Sequence, residues 1–189
     1  MELINKAIEF AVKAHSGAYR KFGNTPYILH PLEVMAIAGS MTDDENVIAA
    51  AALHDTVEDA GVTIDEIERE FGARVAELVA GETENKYPDK PAEETWRTRK
   101  EESLEKLKNA NDEGLSILWI SDKLSNLRAV YREWLLSYDA VWQNFNQKSY
   151  YEQKWYYESV AKLTENICHI PAWQEYNNLT TLLFKRGVK

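Results

Sequence analysis

The sequence predicts an all-α protein, and three observations carry the prediction. Apolar residues recur at steps of three and four, most plainly at Ile117, Ile120, Leu124, Leu127, Tyr131 and Trp134. No β-alternation of useful length interrupts them. Helix-start signals precede the periodic stretches, as in the capping box Thr63-Ile64-Asp65-Glu66.

Each element follows in order. Leu3, Ile4, Ala7, Ile8, Ala11 and Val12 place a first helix. Gly17, Gly23, Asn24 and Pro26 make 17–26 a loop. His30-Pro31 opens the next helix, with Pro31 expected at the first helical position, where its missing N–H costs nothing. Asp43 or Asp44 caps a third, expected to run through the alanines to about Glu58. The capping box begins a short helix ending near Gly72, and another continues to about Gly81. Asn85 to Pro91 reads as a loop, with helices over roughly 93–110 and 115–136 beyond it. The tail from Tyr138 is rich in Trp and Tyr and reads as a helical, aromatic-rich extension broken near Pro171. No repeat or linker divides the 189 residues. One domain is therefore expected, with a core over about 1–136 and the extension over about 137–189.

Charge narrows the function. The net charge is −9, which disfavours nucleic acid or an anionic membrane as a partner, since both need a basic face. Asp43 to Glu84 holds thirteen acids against two bases, so this one segment carries the whole acidic imbalance. Most of those acids read as solvated surface, and a few could gather around a cation. The longest apolar run, Val47 to Leu53, is seven residues, too short to span a membrane. The single Cys168 leaves no intrachain disulfide and no thiolate zinc site. With no leader visible at the N-terminus, a cytoplasmic location is the expectation.

The apolar run ends in His54-Asp55, with Glu58 and Asp59 four residues further on. A carboxylate at the end of a buried run is costly unless paired or bound to metal. Three acids and a histidine within two turns are unfavourable without a nearby cation. A hydrolytic metal site needs three or four N/O ligands and an open position. His54 and Asp55 can supply two, and His30, at a helix start, suits a third. Asp122 is the fourth candidate. It lies opposite the apolar stripe of its helix and, taken alone, reads rather as an exposed acid on the polar face. Histidine with carboxylate and no cysteine suits manganese, iron or zinc.

Four segments together carry a family resemblance. Ala14-His15-Ser16-Gly17-Ala18-Tyr19-Arg20-Lys21-Phe22-Gly23 with Pro26-Tyr27-Ile28-Leu29-His30-Pro31 is similar to the opening of the hydrolase domain of RelA/SpoT alarmone enzymes. Ala51 to Asp59 (AALHDTVED) resembles that family's metal-binding signature. Phe71 to Gly81 and Ile120 to Arg128 resemble its later motifs, in the same order. The resemblance spans about 7–135 and implies an HD-domain helical bundle of the stand-alone small alarmone hydrolase type, without a synthetase domain.

That resemblance implies roles residue by residue. His30, His54, Asp55 and Asp122 would hold one divalent ion, usually Mn2+. Glu58 and Asp59 would position and deprotonate the attacking water. Arg20 and Lys21 would meet the nucleotide, and Asn126 its sugar-phosphate. The implied reaction is hydrolysis of guanosine tetra- or pentaphosphate at the 3′-position, giving GDP or GTP and pyrophosphate. Ser125 stands where the family often has His or an aromatic residue, and Ala129 where a hydroxyl residue is common. Both are expected near the nucleotide pocket, which leaves open another nucleotide such as NADPH, or a non-catalytic nucleotide sensor. An oligomer is possible.

The other polar and aromatic residues read more plainly. His15 reads as a structural histidine, His169 as structural or exposed, and Cys168 as buried and inert. Arg97, Arg99 and Lys100 could reach phosphates or form a solvated helix face. The cluster Trp142, Phe145, Tyr150, Tyr151, Trp155, Tyr156 and Tyr157 reads as packing, pocket wall or dimer surface rather than a base-stacking platform.

Overall fold

The computed structural model describes residues 1–20 and 24–185. These residues form the helices α1 (Glu2–Ala14), α2 (Leu29–Gly39), α3 (Glu45–Leu53), α4 (Thr56–Asp59), α5 (Ile64–Phe71), α6 (Ala73–Glu82), α7 (Ala92–Ala110), α8 (Glu113–Ser137), α9 (Tyr150–Leu163) and α10 (Pro171–Phe184). Short 3₁₀ turns follow α8 and α9. No strand occurs among the described residues, though an isolated bridge pairs Tyr19 with Pro26 across the first loop.

Two helices organise the rest. Asp44 caps α3, its carboxylate accepting from Asn46 N at 2.9 Å. Ala49 to Leu53 are fully buried, and alanine side chains let α1, α2, α6 and α8 all close on this short helix. Helix α8 is the second organiser. Asp112 caps it, accepting from Leu115 N at 3.1 Å, and Arg74 grips the same carboxylate at 2.6 and 2.9 Å. Helices α2, α3, α6, α7, α9 and α10 all pack against α8. Gly81 permits one of these approaches, since a Cβ there would lie 2.9 Å from Leu115 Cδ1.

The extension folds back over α8. The Trp142 and Tyr157 rings stack on Phe184, with centroids 5.1 and 5.7 Å away. Buried tyrosine hydroxyls find carbonyls: Tyr150 donates to Phe184 O at 2.6 Å and Tyr176 to Tyr157 O at 2.8 Å. Pro171 opens α10 at a first-turn position, where its missing N–H is harmless. No helix among the described residues is long and apolar enough to cross a membrane.

Three local expectations are corrected. The third helix does not continue to Glu58 but stops at Leu53, turns through His54 and Asp55, and restarts as α4. His54 Nδ1 lies 2.9 Å from Ala51 O, and Thr56 Oγ1 donates to Leu53 O at 2.7 Å. Those carbonyls would serve the amides of Asp55 and Val57 in an uninterrupted helix, and here side chains compete for them. Helix α2 begins at Leu29, which puts Pro31 third, still within the turn whose amides lack helical partners. Cys168 is exposed, because it sits on the short connection between α9 and α10.

Candidate metal centre

Three parts of the chain bring four donor atoms together. His30 comes from the start of α2, His54 and Asp55 from the break between α3 and α4, and Asp122 from the middle of α8. His30 Nε2 lies 3.0 Å from Asp122 Oδ1 and 3.4 Å from Asp55 Oδ2. His54 Nε2 lies 3.1 Å from Asp55 Oδ2 and 3.6 Å from Asp122 Oδ1. Metal bonds of about 2.1 Å would set neighbouring donors roughly 3.0–3.4 Å apart, and the donors close enough together to share one small cation are those of His30, His54 and Asp122, with Asp55 beside the two histidines but outside that group. The alternative of Asp122 as an exposed acid fails, since α8 is packed on several sides and Asp122 is 4 % exposed.

The histidine chemistry agrees with a cation. A carbonyl only accepts, so the 2.9 Å contact with Ala51 O places the proton of neutral His54 on Nδ1. Its Nε2 then presents a lone pair to two carboxylates, and this buried atom has no hydrogen-bond partner. Something positive must stand between them, either a proton or a metal ion. Burial alone would lower the His54 pKa, but the Asp55 and Glu82 carboxylates raise it well above its ordinary value. Burial likewise opposes ionisation of Asp55 and Asp122, yet His54 for the first and Lys123 for the second hold them below the usual carboxylate range.

The centre forms one wall of a cavity of about 380 Å³, a size within the range of small-molecule sites. Six carboxylates and four cationic side chains line it. With neutral imidazoles the carboxylates outnumber the cationic side chains, a balance that favours a bound cation.

Glu58 and Asp59 project from α4 into this cavity. Glu58 accepts from Glu84 N at 2.8 Å, and burial raises its pKa. Lys86 reaches Glu58 Oε2 at 3.3 Å and Asp59 Oδ1 at 2.6 Å. Arg20 and Asn126 meet on the wall, Arg20 Nη2 donating to Asn126 Oδ1 at 3.0 Å. Asn126 Nδ2 in turn donates to Asp122 Oδ1 at 2.7 Å. Lys21 lies outside the described residues.

The structure adds residues that the sequence reading passed over. Tyr27 OH lies 2.7 Å from Asp55 Oδ2 and 3.0 Å from Asp59 Oδ2, tying the candidate ligand to the candidate base. Burial and then Asp55 push its pKa up, keeping the hydroxyl a donor. Lys123 pairs with Asp122 and with Glu82 Oε1 at 2.9 Å, and burial pushes Glu82 up to about 7. The available signals were Tyr27 three residues before His30 and Lys123 directly after Asp122. Nothing local marks Glu82, because only folding brings α6 to α8.

Other expectations divide. Ala129 lies on the cavity wall, whereas Ser125 is turned away from it, bonded to His30 Nδ1 at 2.9 Å. Lys100 lines the cavity and pairs, with Arg99, to Glu84. Arg97 instead lies over the Trp155 ring and bonds Glu101 and Glu152. Phe145, Tyr156 and Tyr157 reach the cavity, while Trp142 is spent on packing. His15 is buried against the Tyr27 ring, 5.0 Å between centroids.

The chain is similar to known proteins. The HD domain family matches residues 7–145. The chain is 39 % identical over 136 residues to a guanosine-3′,5′-bis(diphosphate) 3′-pyrophosphohydrolase of Aquifex aeolicus, covering 70 % of this chain and 18 % of that protein. It is 38 % identical over 130 residues to a GTP pyrophosphokinase of Brucella ovis, covering 68 % of this chain and 17 % of that one. The chain thus spans less than a fifth of the length of these curated relatives. Among solved structures, lmo0812 from Listeria monocytogenes EGD-e superposes with a TM-score of 0.73 at 33 % identity, over 83 % of this chain and 99 % of that one. A metazoan ortholog of SpoT that hydrolyses ppGpp superposes with a TM-score of 0.72 over 96 % of both chains, and at 22 % identity it speaks for the fold alone.

Proposed function

The chain belongs to the HD domain family, and from that premise we propose that it is a metal-dependent nucleotide phosphohydrolase acting on guanosine tetra- or pentaphosphate at the 3′-position. The observation that carries the reading is the convergence of His30 Nε2, His54 Nε2, Asp55 Oδ2 and Asp122 Oδ1 on the wall of a cavity shared with Glu58, Asp59 and Arg20. The named activity of the Aquifex aeolicus relative supports the substrate class. The reading takes the chain as one domain, with the core over about 1–136 and the extension completing the cavity, in a cytoplasmic setting. Neither nucleic acid nor membrane is among its partners, and association into an oligomer is compatible with it.

His30, His54, Asp55 and Asp122 would hold the ion, with manganese the metal proposed. A divalent cation held there would lower the pKa of a water toward about 7 and offset phosphate charge. Glu58 and Asp59 accept the water's proton, aided by the raised pKa of Glu58. The water oxygen bonds to the phosphorus next to the ribose, and the bond from that phosphorus to the 3′-oxygen breaks. Pyrophosphate is released, and the 3′-oxygen takes the proton that Glu58 or Asp59 received from the water. Arg20 bonds a neutral amide rather than a carboxylate, so its charge remains available to an anion.

A second reading keeps the chemistry and changes the substrate to another nucleotide or phosphoester such as NADPH. Gln153, Tyr156 and Tyr157 favour it, since they shape the cavity from beyond the residues that match the family. A non-catalytic sensor fits less well, because it would keep six costly carboxylates for no chemistry. The test is a nucleotide panel offered to manganese-loaded protein. GDP and pyrophosphate from guanosine tetraphosphate support the first reading. Turnover of NADPH alone supports the second, and inactivity on all supports the sensor.

A further inference from the structure

The two histidines of the centre are held differently. The chain's own backbone fixes His54 through Ala51 O. His30 has no such carbonyl at Nδ1, which faces the hydroxyl of Ser125 at 2.9 Å. A hydroxyl can donate or accept, so Ser125 alone would leave His30 free to place its proton on either nitrogen. Glu33 removes that freedom. Ser125 Oγ lies 2.9 Å from Glu33 Oε2, and a carboxylate only accepts, so the single hydroxyl proton goes to Glu33. Ser125 Oγ must then accept from His30, which keeps a proton on Nδ1 and leaves Nε2 as the nitrogen that faces Asp55 and Asp122, its lone pair free for a cation bound between them.

The relay continues outward. Arg128 Nη1 donates to Glu33 Oε1 at 3.2 Å. The same guanidinium grips Glu175 with two bonds of 2.7 Å, from Nε and Nη2, the paired geometry that makes Arg–carboxylate contacts strong. Glu175 belongs to α10, so an unbroken polar path joins the last helix to His30. Glu33 stands one turn after His30 on α2, and Arg128 one turn after Ser125 on α8.

We propose that Ser125 and Glu33 are positioning residues that set the proton of His30 on Nδ1 for a divalent cation, and that Arg128 and Glu175 anchor this relay to α10. The inference rests on the metal reading of the centre and names the residues that prepare one ligand. Outer partners of metal-bound histidines typically contribute about 10–100-fold in affinity.

The experiment measures manganese affinity by calorimetry and the His30 Nδ1–H signal by ¹⁵N NMR of metal-free protein. Ser125→Ala should weaken manganese binding by about 10–100-fold, and Ser125→Thr, which keeps the hydroxyl, should restore it. Glu33→Gln is the sharper variant. Its amide can donate to Ser125, which frees the hydroxyl proton for His30 and moves the imidazole proton to Nε2. It should therefore weaken binding about as much as Ser125→Ala. Glu175→Gln should give a smaller loss. Wild-type affinity with an unchanged Nδ1–H signal in both Ser125→Ala and Glu33→Gln overturns the relay. If Ser125→Ala does not fold, Glu33→Gln decides, because Glu33 is only half-buried. If the wild-type chain takes up no manganese, the metal reading falls, and loss or retention of the His30 Nδ1–H signal in Glu33→Gln still decides the relay.

Discussion

His30 Nε2 and Asp122 Oδ1 lie 3.0 Å apart, one at the start of α2 and the other in the middle of α8. Two donors that neither share an element nor neighbour one another in sequence thus meet inside the core. Asp122→Asn keeps the side-chain volume and removes the charge. It should weaken manganese binding by more than about 100-fold, beyond what outer partners contribute. Calorimetric titration of folded variant against wild type checks this.

Metal removal should lower stability. An ion that binds the folded chain and not the unfolded one adds about 2.7 kcal/mol when present at 100 times its Kd. Chelation should therefore lower Tm and manganese should restore it. Asp122→Asn should show little of either shift at the same concentrations, read by thermal denaturation.

Glu58→Gln and Asp59→Asn should lower kcat by about 10²–10⁴-fold, the usual contribution of a general acid–base group. Both face the cavity and pair with Lys86 rather than with His30 or His54, so manganese affinity should change much less. Losses of metal and activity in proportion would make them ligands instead.

Tyr27→Phe removes one hydroxyl that bridges Asp55 and Asp59 at 2.7 and 3.0 Å. Turnover should fall by about 10–100-fold, the range for a partner that orients a ligand. Urea unfolding should show stability nearly unchanged, since both carboxylates keep His54 and Lys86 respectively.

Asp112 tests the scaffold apart from the chemistry. Asp112→Ala removes the α8 cap and should cost about 1 kcal/mol, and somewhat more because it also removes the partner of Arg74. Asp112→Asn retains capping ability but not the ion pair. The hydrogen bonds from Arg74 hold the Asp112 carboxyl below its ordinary value. The unfolded chain therefore binds that proton more readily, and the stabilisation is complete above about pH 4 and fades as pH falls through the lower folded value. Urea unfolding at several pH values should show the wild-type advantage over Asp112→Asn shrinking in acid.

Much of this molecule is written locally. The capping box at Thr63 starts α5 as read, with Thr63 Oγ1 accepting from Glu66 N at 3.2 Å. The alanine run of α3 is buried as its composition implies. His54-Asp55-Thr56-Val57-Glu58-Asp59 is legible as a reactive segment, because three acids and a histidine beside a buried run need a cation. The break at His54 was not legible, since its cause is a pair of side chains reaching back to Ala51 and Leu53.

The sequence by itself determined the helices, their caps and the donor types, because periodicity and capping act over a few residues. Tertiary structure alone decided the burial of Asp122, the ion pairing of Glu82 with Lys123, the turning of Ser125 toward His30 and the reach of Tyr156 into the cavity. Each depends on which helices surround α8, and helical spacing gives the direction of a side chain but not the neighbour it meets. A carboxylate on the polar side of an isolated helix becomes a buried one only when α2, α3, α6 and the C-terminal extension close around it.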